Sequence, residues 1–257
     1  MLPHEVIGMI VSHLVCHTSL RACCLTCYSW YIAAVPYLHR IVIIRDYCWG
    51  RPTPFWGTPL QRMHRFRLLP LVKKFQILDS RLGHGFTPTW LDSRTLRRFS
   101  ALTSVQELGI DNLNIPEFIP NIQRYFGHLP TVRSLALREP KGSRRQIIYF
   151  IGLFPHLEDL KLLYDLNRAR GEPVGDLTLI PSFTPPLRGS LMMTWFTDVD
   201  LLKDMIDLFG GIRFRHMDLY RVVGIQLLLD TCAEVLEILR LYPTDQCRFF
   251  QMAYGPG

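Results

Sequence analysis

A chain of 257 residues, 48% hydrophobic and 20% charged, has room for one small module and one larger domain with its own core. No run of about 18 apolar residues occurs, so no membrane-spanning helix is expected. Pro3, His4 and Glu5 break any basic-then-apolar leader pattern, which points to an intracellular protein, cytoplasmic or nuclear. Seven cysteines, an odd number with four of them in residues 16–27, read as free thiols of a reducing compartment.

The first forty residues read as three short helices. Pro3 suits a first helical turn, where its missing N–H costs nothing, and Glu5 sits near the positive end of the helix dipole. Val6, Ile7, Ile10, Val11 and Leu14 recur at helical spacing, so the first helix is expected to end near Leu14. Thr18 or Ser19 is the expected cap of a second helix, with Leu20, Cys23, Cys24 and Cys27 on one face and Leu25 beside it. A third, Trp30–Leu38, is expected to close at Pro36. A unit this small is at the lower limit of self-sufficiency, so part of its apolar surface is expected to face a partner.

The residues Leu2-Pro3-x-Glu5-Val6, Ile10-Val11-x-x-Leu14, Leu20 and Cys27-x-x-Trp30 together resemble the F-box. The stretch Ser19 to Tyr31 is similar to F-box proteins of mushroom-forming fungi, and the resemblance covers residues 2–40. It implies a docking module: F-boxes bind the small Skp adaptor, which links them to a cullin-RING ubiquitin ligase. Carried over by position, Leu2, Pro3, Ile7, Ile10, Leu14, Leu20, Cys27 and Trp30 would pack on that interface or directly support it. About half of such side chains should instead face the module's own core. Trp30 is the best single anchor candidate, because buried aromatics dominate interface energetics.

Residues 41–70 read as a linker. Ile41-Val42-Ile43-Ile44 has the composition of a short strand, and Gly50, Pro52, Pro54, Gly57 and Pro59 then forbid long regular structure. Between Arg40 and Lys74 lie eight basic residues and one acid, so this segment carries the whole net charge of +7. Tyr47, Trp49, Phe55, Trp56 and Phe66 are interleaved with the charges. The segment reads as a solvated connection, or alternatively as a basic-aromatic surface for an acidic partner or nucleic acid.

From residue 71 onward an apolar residue, then Leu or Met three later, then Leu or Ile two later, keeps returning. The copies are Val105-x-x-Leu108-x-Ile110, Val132-x-x-Leu135-x-Leu137, Leu157-x-x-Leu160-x-Leu162, Phe214-x-x-Met217-x-Leu219 and Leu236-x-x-Leu239-x-Leu241. Val72-x-x-Phe75-x-Ile77 is a looser one, and Leu187–Trp195 is a degenerate copy in the gap. The steps from 108 to 135 and from 135 to 160 are 27 and 25 residues, within the leucine-rich-repeat range. Helix-like runs at Phe118–Phe126, Ile147–Phe154, Leu201–Phe209 and Ile225–Cys232 precede the strands, which predicts parallel strands joined by crossovers. The expected architecture is therefore α/β. A trihelical F-box (1–40) is followed by a linker with one strand (41–70) and an irregular leucine-rich-repeat-like solenoid (71–257).

The variable positions within the strands are candidate target contacts: Arg133, Glu158, Lys161, Arg215, His216 and Asp218, with Gln106, Glu107, Ser134, Asp159 and Glu237 around them. The Gly- and Pro-rich loop 163–190 reads as mobile, or as reaching over one edge toward a target. Phe249-Phe250 is a candidate closure for the end of the array. No catalytic motif is present, so no enzyme and no cofactor is expected. Cys24-x-x-Cys27 is half a zinc pattern without its second half, and these thiols read as core residues rather than metal ligands. The expected function is substrate recruitment to an SCF-type ubiquitin ligase, through a Skp adaptor and its cullin at one end and an unknown protein target at the other. The alternatives are an F-box-fold scaffold uncoupled from a ligase, and a nucleic-acid binder using residues 45–74.

Overall fold

A computed structural model describes residues 2–46, 63–79, 99–112, 115, 126, 127, 129–164, 187–209 and 211–242. Three helices open the chain: α1 (His4–Ser12), α2 (His17–Thr26) and α3 (Tyr28–Leu38). Eight strands follow: β1 (Ile41–Asp46), β2 (Lys74–Asp79), β3 (Glu107–Asp111), β4 (Ser134–Arg138), β5 (Asp159–Leu163), β6 (Leu187–Thr194), β7 (Ile212–Tyr220) and β8 (Ile238–Tyr242). Helices α4 (Arg144–Gly152), α5 (Val199–Leu208) and α6 (Ile225–Cys232) lie between β4 and β5, β6 and β7, and β7 and β8. The strands form one sheet in chain order, and every neighbouring pair is parallel.

Alternation dictates this layering. In β3, β4 and β5 the Leu and Ile of each pattern copy are buried and the residues between them are not. The register aligns Val42, Phe75, Leu108, Leu135, Leu160, Leu191, Met217 and Leu239 in one inner row. Leu191 fills the place of the degenerate copy.

Two backbone devices recur. Before each of β2 to β5, two successive N–H groups converge on one carbonyl: Lys73 and Lys74 on Arg40, Gln106 and Glu107 on Lys73, Arg133 and Ser134 on Gln106, Glu158 and Asp159 on Arg133. After β3, β4 and β6 the next residue is left-handed: Asn112 (φ 55°), Glu139 (φ 48°) and Trp195 (φ 53°). Each donates its N–H to the last residue of the following strand, at 2.8 Å. That bond holds a conformation that non-glycine residues otherwise disfavour.

Behind β2 to β5, Phe75, Phe99, Phe126, Phe150 and Phe154 make a continuous edge-to-face run, with centroids 5.2 to 6.2 Å apart. Farther along, Arg144 at the start of α4 pairs with both Asp198 and Asp200 at the start of α5, at 3.0 Å each.

Several boundaries differ from expectation. Helix α1 stops at Ser12, and Leu14 lies past it. Helix α2 starts at His17, so Thr18 and Ser19 fall inside it and Cys16 takes the cap position. Helix α3 starts two residues before Trp30 and carries Pro36 inside its last turn. There the ring removes one N–H, and the bond from His39 N–H to the Val35 carbonyl still closes the turn. The strand expected in the linker is the first strand of the sheet, and it follows α3 after two residues. Leu187–Ser190, where the expected loop 163–190 and the degenerate copy Leu187–Trp195 overlapped, belong to strand β6. Helix α4 begins three residues before Ile147, because Ser143 and Gln146 form a reciprocal capping box. The run Phe118–Phe126, apart from Phe126, and the closure at Phe249-Phe250 lie outside the described residues.

Truncating the middle ring tests the phenylalanine run. Phe126→Ala should lower unfolding stability in urea by about 3–5 kcal/mol, whereas Phe66→Ala, at an exposed ring, should stay within about 0.5 kcal/mol. Equal effects would contradict a core built around these rings.

Candidate functional site

The helical module has its own core, separate from that of the sheet. Ile7 and Val11 from α1, Leu20 from α2, and Ala33 and Ala34 from α3 are buried together. Leu14, Cys23, Cys24, Trp30, Tyr37 and Leu38 pack around them, partly buried. Ile7 and Val11, four residues apart, share the inward stripe, and Ile10 falls beside it.

The eight expected docking residues therefore divide. Leu2, Pro3, Ile10 and Cys27 are exposed, and Leu14 and Trp30 are half-buried. Ile7 and Leu20 are 2% and 5% exposed and belong to the module's own core, so of the two expected roles only support from behind is open to them. Sequence spacing missed Met9, Val15, Leu25, Tyr28, Tyr31 and Ile32, all of which are exposed. The small pair Ala33-Ala34 was the signal on α3, because small residues mark a close helix contact and leave Tyr31 and Ile32 on the far side. Nothing in the pattern marked Val15 or Leu25. Eight of the fifteen exposed large apolar side chains among the described residues lie on this module. The module supplies a minority of those residues, so its surface carries far more than its share of apolar area.

The thiols are distinguished by their surroundings. The Thr18 hydroxyl, 2.7 Å from the exposed Cys16 sulfur, and then the amides of Ser19 and Thr18 hold the Cys16 thiol down at about 7. Burial, with Cys23 beside it, pushes Cys24 up. Burial, then His17, pushes His39 down. Among the described residues no three His, Cys, Asp or Glu side chains converge to hold a metal ion.

The candidate target contacts gather on the outer face of the sheet or one residue before its strands. Lys161 and Asp218 share a row through Met192, and His216 lies in the row of Asp159 and Ser190. Their charges are met locally. Arg133 pairs with Glu158 at 2.8 Å, Lys161 with Asp159 at 3.4 Å, and Asp218 with Arg240 at 3.6 Å. Glu237 lies 3.6 Å from Arg215 and 3.5 Å from His216. Exposed pairs contribute about 0–1 kcal/mol each, so an incoming partner can exchange them at little cost. In the basic segment, Lys74 is tied to Glu107 at 2.9 Å. Arg51, Arg62 and the aromatics Tyr47, Trp49, Phe55 and Trp56 lie outside the described residues, as does 165–186 of the expected loop.

A family model for F-box-like domains matches residues 1–45. The N-terminal module is an F-box-like domain. No curated protein matches the chain. The matched span covers α1 to α3 and most of β1, so the F-box-like domain runs directly into the sheet. No helix among the described residues is long and apolar enough to cross a membrane.

Cys16 gives a pH test of the domain's surface. Its thiolate should reach half-population near pH 7, so iodoacetamide labelling followed by mass spectrometry should rise through that pH while Cys24 lags. Thr18→Ala removes the largest cause and should move the midpoint upward. An unchanged midpoint would contradict the assignment.

Proposed function

We propose that this chain is the substrate-recruiting subunit of a cullin-RING, SCF-type ubiquitin ligase. F-box domains bind Skp-type adaptors, and the observation that carries the reading is the set of exposed large apolar side chains on the F-box-like domain. Leu2, Met9 and Ile10 on or beside α1, with Tyr28, Tyr31 and Ile32 on α3, supply apolar and aromatic contact area of the kind that anchors protein interfaces. Trp30, half-buried against the core, supports that face. Through the adaptor the chain would join a cullin in the cytoplasm or nucleus.

The sheet is then the receptor for a protein target. We read it as an irregular leucine-rich-repeat-like array, on the strength of one parallel strand per pattern copy and the recurring backbone devices. Its outer face offers Arg133, Glu158, Lys161, Arg215, His216 and Asp218 for contact. The mechanism is proximity: holding adaptor and target on one chain makes transfer effectively intramolecular. The chain itself supplies no catalytic group.

The test is pulldown of purified Skp-type adaptor with the full chain. Ile10→Asp places a charge on the apolar face without touching the core, and should weaken adaptor binding at least about tenfold with an unchanged circular dichroism spectrum. Full binding by this variant would remove α1 from the interface. No binding by well-folded wild type would favour a scaffold that keeps the fold without the ligase.

A further inference from the structure

One cavity lies at the junction of β5 and β6. It encloses about 400 Å³, and its apolar walls include Phe154, Leu157, Leu187 and Phe209. Its rim carries Arg133, His156, Glu158 and Arg188. The opening follows from strand register. Pairing of β6 with β5 starts at Ser190, whereas pairing of β6 with β7 starts three residues earlier, at Leu187. Strands β6 and β7 thus run on past the beginning of β5, and the turn Phe154–Glu158 covers only part of the gap. Gly189 pins the junction. At φ 88° its Cα sits so close to the Glu158 carbonyl that a Cβ would lie 1.9 Å from that oxygen.

Two like charges face each other beside the cavity. Arg188 stands directly opposite Arg213 in the β6–β7 register, and both side chains are exposed. Like charges facing each other across strands are destabilising. Among the described residues neither arginine has a carboxylate partner, although Lys74, Arg133, Lys161 and Arg240 each have one. Arg133 and Glu158 cancel on the rim, which leaves Arg188 as its uncancelled charge, with Arg213 opposite it on the next strand. A hollow of mixed polar and apolar lining beside an unneutralised arginine pair suits an apolar side chain with carboxylates next to it.

We propose that this cavity binds an acidic peptide segment of the target protein, with an aromatic or large aliphatic side chain in the hollow and flanking carboxylates on Arg188 and Arg213. This deepens the receptor reading above and rests on it. Arginine suits the task because its planar fork donates two hydrogen bonds to one carboxylate. The apolar walls argue for peptide over nucleic acid.

The experiment uses the full chain and three fluorescein-labelled peptides: Asp-Asp-Glu-Phe-Glu-Asp-Asp, its version with Ala for Phe, and its version with Lys at every acidic position. Polarisation should show binding of the first, with each altered version at least about tenfold weaker. Arg188→Glu should weaken the first peptide by a similar factor and strengthen the Lys version. No binding of the first peptide, binding unaffected by Arg188→Glu, or equal competition by a single-stranded oligonucleotide would overturn the proposal. Adaptor pulldown on the same samples separates the two claims. Retained adaptor binding without peptide binding sinks only the cavity assignment, and peptide binding without adaptor binding sinks only the ligase reading.

Discussion

The run of phenylalanines behind β2 to β5 is the constraint on which the first half of the sheet depends. A parallel strand of five residues cannot bury its inner side chains alone. Each needs a neighbour at the same register and something apolar behind it. Phe75 supplies both, since it lies on β2 and its ring meets Phe99 edge-on at 5.2 Å. Phe126 and Phe150 repeat that spacing two units later. Such edge-to-face pairs add about 0.5–1.5 kcal/mol each beyond the area they bury. The backbone ladder fixes the distance between strands, and the left-handed residues Asn112 and Glu139 carry it one step past the strand ends.

With the inner rows so occupied, the outer face is left to charge. Most of its ions meet a partner within 4 Å, which keeps the face polar without giving it a dominant sign. The break comes where the units change. After β5 the phenylalanine run ends, β6 starts earlier than its neighbour requires, and Gly189 absorbs the mismatch at positive φ. A cavity and a pair of facing arginines occur there. The F-box-like domain stands apart in a different sense. It has its own small core, and two residues join α3 to the sheet. Its apolar surplus is therefore directed outward and not shared with the larger domain.

How much of this was legible in the sequence depended on which atoms carry the information. Leu108, Leu135 and Leu160 announce their strands because side-chain alternation is written in residue type. The helix Ile225–Cys232 was readable to the residue for the same reason. The start of α4 was readable in principle from Ser143-x-x-Gln146, a capping pattern that apolar periodicity passes over. The left-handed Glu139 and Trp195 were not, since nothing about Glu or Trp favours that conformation and only the ladder bond explains it. On the helical module, spacing places an apolar residue on a helix but not on its inner or outer side. Ile7 and Ile10 look alike in the pattern, and only the packing of α3 against α1 separates them. The arginine pair was invisible because Arg188 and Arg213 meet only through register.

The proposed function requires two independent docking faces on one chain, the adaptor on the F-box-like domain and the target on the sheet. Hydrogen–deuterium exchange of the full chain with and without Skp-type adaptor tests it most directly. The account predicts slowed exchange in peptides covering α1 and α3, with β3 to β7 unchanged. Protection spread across those strands, or none in α1 and α3, would contradict it.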